Sequence, residues 1–192
     1  MKCWFRIAPF IVVFTSLCAW VPAHAQQVAK VAPEPKTKLE AFERQTGRVV
    51  IKGYSEMGGI AGLGSVSVLC MEFTDATSSD KQRGIVVEVK ESGRLERSER
   101  SFIDYDEIDP LLKGIDYISK VKSSVTRLNA FEAKYKTKGD FVFTTYSSRQ
   151  NGSIEAAVTS GYISTTTAYI SLEKLQELRA IIVKAKATLD AK

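Results

Sequence analysis

The feature that most constrains the fold is an internal duplication. Short runs of strand-forming residues separated by turn residues lead into one amphipathic helix, and this order then occurs a second time. Residues 37–43 match residues 126–132 at five of seven positions, at an offset of 89 residues. Residues 102–104 match residues 169–171 at an offset of 67 residues, and each of these segments precedes a helix. The sequence therefore predicts an α+β fold of two antiparallel ββββα repeats, at about residues 37–123 and 126–192.

The first repeat contains four predicted strands, at residues 48–54, 66–73, 85–90 and 94–102. The fourth strand is so rich in arginine and glutamate that we expect it at a sheet edge, where charge discourages pairing with another chain. The glycine-rich segment 58–64 has the composition of a phosphate-binding loop, but a strand follows it, whereas such a loop leads into a helix. We therefore predict a mobile hairpin loop for this segment.

The second repeat contains predicted strands at residues 131–136, 141–146, 154–159 and 163–170. Lys138-Gly139-Asp140 and Asn151-Gly152-Ser153 mark two hairpin turns, since Asn-Gly tolerates the positive φ angles that tight hairpins need. Residues 37–46 are ambiguous. Thr37 and Glu40 form a capping box that favours a short helix, whereas the matching segment of the second repeat has the pattern of a strand.

Each repeat ends in a helix with one apolar face. The apolar residues of the first helix are Ile108, Leu111, Leu112, Ile115 and Ile118, and those of the second are Leu175, Leu178, Ile182, Ala185 and Leu189. We expect both faces to pack on the sheets in a single core, with nearly complete burial of Leu111, Ile115, Leu178 and Ile182. The competing arrangement has two separate cores joined by Ser123-Ser124.

Three residues define the ends and the packing of these helices. An N-cap at Asp106 would place Pro110 in the first turn, where its missing N–H is harmless. Gly114 marks either a close approach of the first helix to the sheet or a tolerated helix glycine. Ser171 is the expected N-cap of the second helix.

The N-terminus has the pattern of a secretory signal peptide. Lys2 and Arg6 precede an apolar stretch at residues 7–21, and Ala23-His24-Ala25 supplies small residues for cleavage after Ala25. Residues 26–36 contain two prolines and no apolar period, so we expect a flexible leader before a single domain at residues 37–192. The protein is thus expected to be secreted or periplasmic. No later segment approaches the ~20 apolar residues of a membrane helix.

Cleavage would remove the residues on which most enzyme mechanisms depend. The signal peptide contains the only histidine, both tryptophans and two of the three cysteines. A mature chain with no histidine and with Cys70 alone excludes His-based catalysis and a Cys/His zinc site. We therefore expect no enzymatic activity and no cofactor, and we expect Cys70 to be buried as a small apolar residue.

Two clusters of charged residues are candidate sites. Lys134, Lys136 and Lys138 alternate along one predicted strand beside Tyr135 and Tyr146, an arrangement that could track phosphates and stack bases. A solvated strand face explains the same lysines.

Asp104, Asp106 and Asp109 are weak candidates for a hard cation, since carboxylates are its preferred ligands. Acidic residues in a first helical turn also stabilise that turn without any metal, and this second interpretation assigns no metal site.

Two successive units of four strands and a helix resemble the Whirly class of single-stranded-DNA-binding proteins. The resemblance concerns the order of elements over roughly residues 37–190. The lysine-glycine-lysine-alanine motif of that family is not present, so no site residue is transferred. The resemblance implies a two-unit fold, and binding of single-stranded nucleic acid as an alternative function.

The leading hypothesis is an exported, non-enzymatic binding or structural module of the cell envelope. An envelope protein or a polyanion is the expected class of partner, and a homo-oligomer is compatible with the sequence. A second alternative to nucleic-acid binding is a carrier of apolar ligands or lipids. A carrier needs a cavity between sheet and helices lined by Ile115, Ile118 and Leu178.

Overall fold

Two four-stranded antiparallel sheets, one from each repeat, form the framework of the protein. The computed structural model describes residues 34–93, 96–148 and 152–191, so the predicted signal peptide and most of the predicted leader lie outside the described residues. The first sheet has the order β1 (Val50–Gly62), β2 (Gly64–Asp75), β3 (Lys81–Glu91) and β4 (Arg97–Asp104). The second sheet has the order β5 (Glu132–Lys136), β6 (Val142–Ser147), β7 (Ile154–Ser160) and β8 (Thr166–Ile170).

The α-helices are α1 (Lys38–Glu43), α2 (Ile108–Ile118) and α3 (Leu172–Asp190). The predicted α+β fold with two ββββα repeats is confirmed. Ser171 caps α3, as expected, by accepting a hydrogen bond from the N–H of Lys174 at 3.3 Å. The N-cap of α2 is Glu107 rather than Asp106, and Pro110 still lies in the first turn. None of the described helices is both long and apolar enough to cross a bilayer.

β1 is much longer than predicted because it includes most of the glycine-rich segment. The prediction of a mobile loop at residues 58–64 is wrong, since Gly58 to Gly62 belong to β1 and only Leu63 separates β1 from β2. Leu63 exchanges two backbone hydrogen bonds with Tyr169 of β8, at 2.9 and 3.0 Å. A Cβ atom at Gly62 would collide with the carbonyl oxygen of the same tyrosine. The glycines therefore allow the two sheets to approach closely.

The segment with the highest sequence similarity between the repeats has two different conformations. In the first repeat it forms α1, which Thr37 caps by accepting a hydrogen bond from the N–H of Glu40 at 3.1 Å. The carboxylate of Asp104 accepts two more, from the N–H groups of Lys38 and Leu39 at 2.9 and 3.0 Å. Residues 126–132 form no helix. The counterpart of Asp104 in the second repeat is Ser171, which caps α3 instead.

One apolar core contains residues of both sheets and of both long helices, and we call it the main core. Cys70 is buried in it, as expected. The four helix residues that we expected to be buried are fully inaccessible to solvent: Leu111, Ile115, Leu178 and Ile182. The competing arrangement with two separate cores is therefore wrong. A smaller apolar cluster of Leu39, Phe42 and Phe73 lies between α1 and the first sheet.

The helix of each repeat packs mainly against the sheet of the other repeat. α2 lies against β5 and β6, whereas α3 lies against β1 and β2. An ion pair between Arg179 of α3 and Asp116 of α2, at 2.7 Å, joins the two helices. A Cβ atom at Gly114 of α2 would lie 2.5 Å from Cδ2 of Tyr135 in β5, so this glycine marks the close approach of helix and sheet. The two repeats thus complete one core together.

Lys36 contacts the second repeat, although we assigned it to a flexible leader. Its Nζ lies 2.6 Å from a carboxylate oxygen of Asp140, in the turn between β5 and β6. The same ammonium lies 3.4 Å above the ring centroid of Tyr162, in the turn between β7 and β8. These contacts hold the chain against two hairpin turns before α1 begins.

Candidate binding surface

β5 places the residues of the predicted basic strand on opposite faces of the second sheet. Lys134 and Lys136 are exposed on the outer face. Tyr135 is half-buried and packs against the main core beneath α2. Because side chains alternate along a strand, this tyrosine does not lie beside the two lysines. Of the two predicted aromatic residues, the outer face therefore has Tyr146 and lacks Tyr135.

Two lysines of the predicted basic strand are paired within the chain. Lys134 pairs with Glu132 at 2.9 Å, and Lys136 pairs with Asp140 at 2.6 Å. Lys138 lies beyond β5 and is exposed, and its backbone N–H donates to a carboxylate oxygen of Glu107 at 2.7 Å. The charges of Lys134 and Lys136 are therefore balanced locally, which weakens their attraction for phosphates.

Tyr146 lies on the outer face of the second sheet and is paired with a carboxylate. In the ladder of β6 and β7 it stands opposite Glu155, and its hydroxyl donates to an oxygen of that glutamate at 3.2 Å. Partial burial raises the pKa of the Tyr146 hydroxyl most, and the hydrogen bond to Glu155 raises this pKa further. The phenol is therefore protonated at neutral pH, and its one O–H is donated to Glu155, which leaves the oxygen as an acceptor.

Two open depressions of about 480 and 610 Å³ share Tyr146 and Glu155. The first extends past Tyr169 of β8 to the first turn of α3, and the second extends along Phe131, Ser147 and Ser148. The side chain of Tyr169 is 50% exposed. We call the surface formed by Tyr146, Glu155 and Tyr169, with the depressions beside them, the tyrosine face.

The tyrosine face combines aromatic area with hydroxyl and carboxylate groups. Tyrosine rings supply a large contact area at a low cost in side-chain entropy, and their hydroxyls form hydrogen bonds at the rim of a contact. On the same outer face, the hydroxyls of Thr159 and Thr167 are hydrogen bonded to each other at 3.0 Å. These groups are suited to binding another molecule.

The three aspartates proposed as weak metal candidates point to three different partners. Asp104 accepts the two N–H groups of α1 described above, Asp106 pairs with Lys38 at 2.9 Å, and Asp109 pairs with Lys186 of α3 at 2.6 Å. The hydrogen bond from Lys38 lowers the pKa of the Asp106 carboxyl. In the described part of the chain, no group of three or more such ligands is placed to hold a metal ion. The aspartates thus tie α1 and α3 to the start of α2.

The same acidic segment contains a second buried carboxylate besides Asp104, namely Glu107, which is 8% exposed. One oxygen accepts the N–H of Lys138, and the other, which is also buried, has no hydrogen-bond partner within residues 34–93, 96–148 and 152–191. Burial raises the pKa of this carboxyl. Composition alone does not show which carboxylates of this segment face inward, so Glu107 was not predicted to be buried.

We expect Glu107→Gln to stabilise the protein at neutral pH by about 1 kcal/mol, since it removes a poorly satisfied buried charge and keeps the acceptor for Lys138. A raised pKa means that the folded state binds the proton more tightly than the unfolded state. The wild type should therefore lose stability as pH rises from the ordinary glutamate pKa through the raised value. Urea unfolding between pH 4 and pH 8 measures this slope, which should be shallower in the variant.

Glu107→Ala is the matched control, because it removes the charge together with the acceptor. We expect it to be less stable than Glu107→Gln at every pH. An unchanged pH dependence in Glu107→Gln would contradict the assignment of the slope to this carboxyl.

Sequence analysis named Tyr146 but missed its two neighbours, Glu155 and Tyr169. The alternation of the predicted strands 154–159 and 163–170 could have placed these two residues on one face. Their approach to Tyr146 depends on the register between β6 and β7, which the predicted strands leave open.

The chain matches no protein-family model, and the comparison with curated proteins finds no match.

Proposed function

We propose that the protein is an exported, non-enzymatic binding module of the cell envelope and that its tyrosine face binds a partner protein. The support for export is the N-terminal pattern of basic residues, apolar stretch and small cleavage residues. The observation that carries the binding proposal is the Tyr146–Glu155 pair beside the half-exposed Tyr169, on an open sheet face between two depressions.

The composition of this face favours a protein over a polyanion. Its charges are mixed, since Glu155 lies beside Tyr146, Glu132 lines one depression, and Glu173 and Lys174 line the other. Tyrosine is enriched in protein interfaces, whereas a polyanion site needs an excess of lysine or arginine. The partner is therefore expected to contribute apolar side chains and hydrogen-bonding groups.

A photo-crosslinking amino acid at position 169 tests this proposal in cells. Replacing Tyr169 with p-benzoylphenylalanine should give an adduct of one discrete mass in the envelope fraction after irradiation. The same replacement of Tyr117, an exposed tyrosine of α2, is the matched control and should give no such adduct. Adding Tyr146→Ala to the position-169 variant should reduce the adduct at least about tenfold, because truncating an interface tyrosine commonly weakens binding by this factor or more.

Two outcomes would refute the proposal. One is equal crosslinking from positions 169 and 117, and the other is an adduct whose yield Tyr146→Ala leaves unchanged. N-terminal sequencing of the recovered chain tests export separately, with Gln26 as the expected first residue.

The two alternative functions have weaker support in the described residues. For single-stranded nucleic acid, Lys134 and Lys136 are paired and Tyr135 is turned inward. A salt-sensitive complex with an oligonucleotide at about 50 mM salt, lost in Lys134→Glu with Lys136→Glu, would favour this function. For a lipid carrier, Ile115, Ile118 and Leu178 should line a cavity. These three side chains are instead packed in the main core.

A further inference from the structure

β1 is an edge strand, and backbone N–H and C=O groups along one of its sides face no other strand of the described chain. It pairs with β2 on one side, and among the described residues no strand pairs with its other side. Only two of its 13 residues are charged, Lys52 and Glu56. Ile51 and Tyr54 are 56% and 71% exposed. Long edge strands with few charges readily pair with a strand of another chain.

The other described edges are better protected against such pairing. β4 carries Arg97, Glu99 and Arg100, and β5 alternates Glu132, Lys134 and Lys136. The edge strand β8 is bridged to Leu63 through Tyr169. The far end of β1, near Gly62, also approaches β8. The open part of β1 is therefore residues 50–56.

The hydrogen-bond pattern shows which backbone groups of β1 face outward. The N–H of Ala76 donates to the carbonyl of Val49 at 3.0 Å, just before the ladder of β1 and β2 begins. Hydrogen-bonded pairs alternate with non-hydrogen-bonded pairs in an antiparallel ladder, so the odd-numbered residues before the bulge face β2. The N–H and C=O groups of Lys52, Tyr54 and Glu56 consequently point away from the sheet.

We propose that β1 pairs with β1 of a second copy of the chain, antiparallel and centred on Tyr54. This register places Lys52 opposite Glu56 of the second copy, and the two-fold symmetry repeats that pair. Centring the pair on Lys52 or on Glu56 would instead place identical charges opposite each other. The β1–β4 sheets of the two copies would join into one sheet of eight strands, and the open edge of β1 in each copy would be paired.

The two charges of this register differ in whether they already have a partner within their own chain. Glu56 is exposed and has no ion-pair partner in the part of the chain that the structure describes. Lys52 contacts Glu43 of α1 and lies 5.5 Å from the ring centroid of Phe73 on the same side of the strand. In the dimer it would lie between two carboxylates, Glu43 of its own chain and Glu56 of the second copy.

Charge reversal tests the register. In sedimentation velocity from about 1 to 100 µM, the mature wild-type chain should show a reversible monomer–dimer equilibrium. Lys52→Glu and Glu56→Lys should each weaken this dimer at least about tenfold, because each replaces two attractive cross-strand pairs with two repulsive ones. Mixing the two variants should restore a heterodimer, and the double variant should dimerise like the wild type.

Tyr54→Cys supplies a second measurement that does not depend on charge. Residues on a two-fold axis in a hydrogen-bonded pair have Cα atoms about 5.5 Å apart, within the range of a disulfide. We expect a crosslinked dimer under oxidising conditions for Tyr54→Cys and none for Tyr117→Cys on α2. A wild-type chain that is monomeric at all these concentrations would overturn the proposal. So would a dimer that neither charge reversal weakens. The tyrosine face lies on the second sheet, so neither result bears on the proposed partner binding.

Discussion

Leu178→Ala should lower the free energy of unfolding by about 2–5 kcal/mol, because it removes buried apolar atoms and leaves a cavity among side chains that cannot fully collapse. Leu178 is fully buried in the main core, where α3 meets both sheets and α2. The effect should extend to the whole domain, since this core belongs to both repeats. Chemical denaturation followed by circular dichroism and by tyrosine fluorescence should give one transition with the same midpoint for both signals.

Val183→Ala is the matched control within the same helix. Val183 is partly exposed, so its truncation should change the stability by no more than about 0.5 kcal/mol. Two resolved transitions in Leu178→Ala, with only one of them shifted, would contradict the single cooperative core.

Gly114→Val should destabilise the protein by about 1–3 kcal/mol, since the added side chain has no space between α2 and β5. A Cβ atom at this position would lie 2.5 to 2.8 Å from three atoms of the Tyr135 ring. The ring is held between α2 and the second sheet, so it would have to leave its packed position. Thermal unfolding compared with the wild type gives the size of the loss.

A double-mutant cycle with Tyr135→Ala tests whether this ring is the cause. Once the ring is removed, Gly114→Ala should become favourable by up to about 1 kcal/mol, because alanine is the better helix former. If a substitution of Gly114 changes the free energy of unfolding by the same amount with and without the Tyr135 ring, the close contact with this ring does not explain the change.

The sequence predicted the helices and strands correctly where its apolar residues recur with the period of the element and form the face that is buried. The apolar stripes of α2 and α3 predicted both helices and the buried positions Ile115 and Ile182, because a helix with one apolar face must cover that face. Strand alternation likewise predicted most strands. These signals are local, and they specify which face of an element is buried but not which element covers it.

The register of the second sheet shows where local signals fail. A two-residue turn at Asn151-Gly152 would pair Tyr146 with Ala157. The N–H of Ser148 instead donates to the carbonyl of Ser153 at 2.7 Å, so the connection is longer and Tyr146 faces Glu155. The tyrosine face therefore could not be assembled from the sequence, although each of its residues lies in a predicted strand.

The matching segments 37–43 and 126–132 differ in conformation because of tertiary contacts that their sequences do not contain. Five identical residues do not fix their conformation, because α1 depends on the distant carboxylate of Asp104 for two of its N–H groups. The second repeat has Ser171 at that position, committed to α3. Side-chain capping across the fold thus outweighs local similarity.

The crossed packing of α2 and α3 has a consequence for how such a chain can arise. A single ββββα unit would lack the helix that its sheet requires, so it could complete this core only by exchanging helices with another molecule of itself. Fusing two such units replaces that encounter with an intramolecular one, at an effective concentration in the millimolar range for a short flexible connection. Assembly then no longer depends on how much protein the cell makes, and the two units are free to diverge.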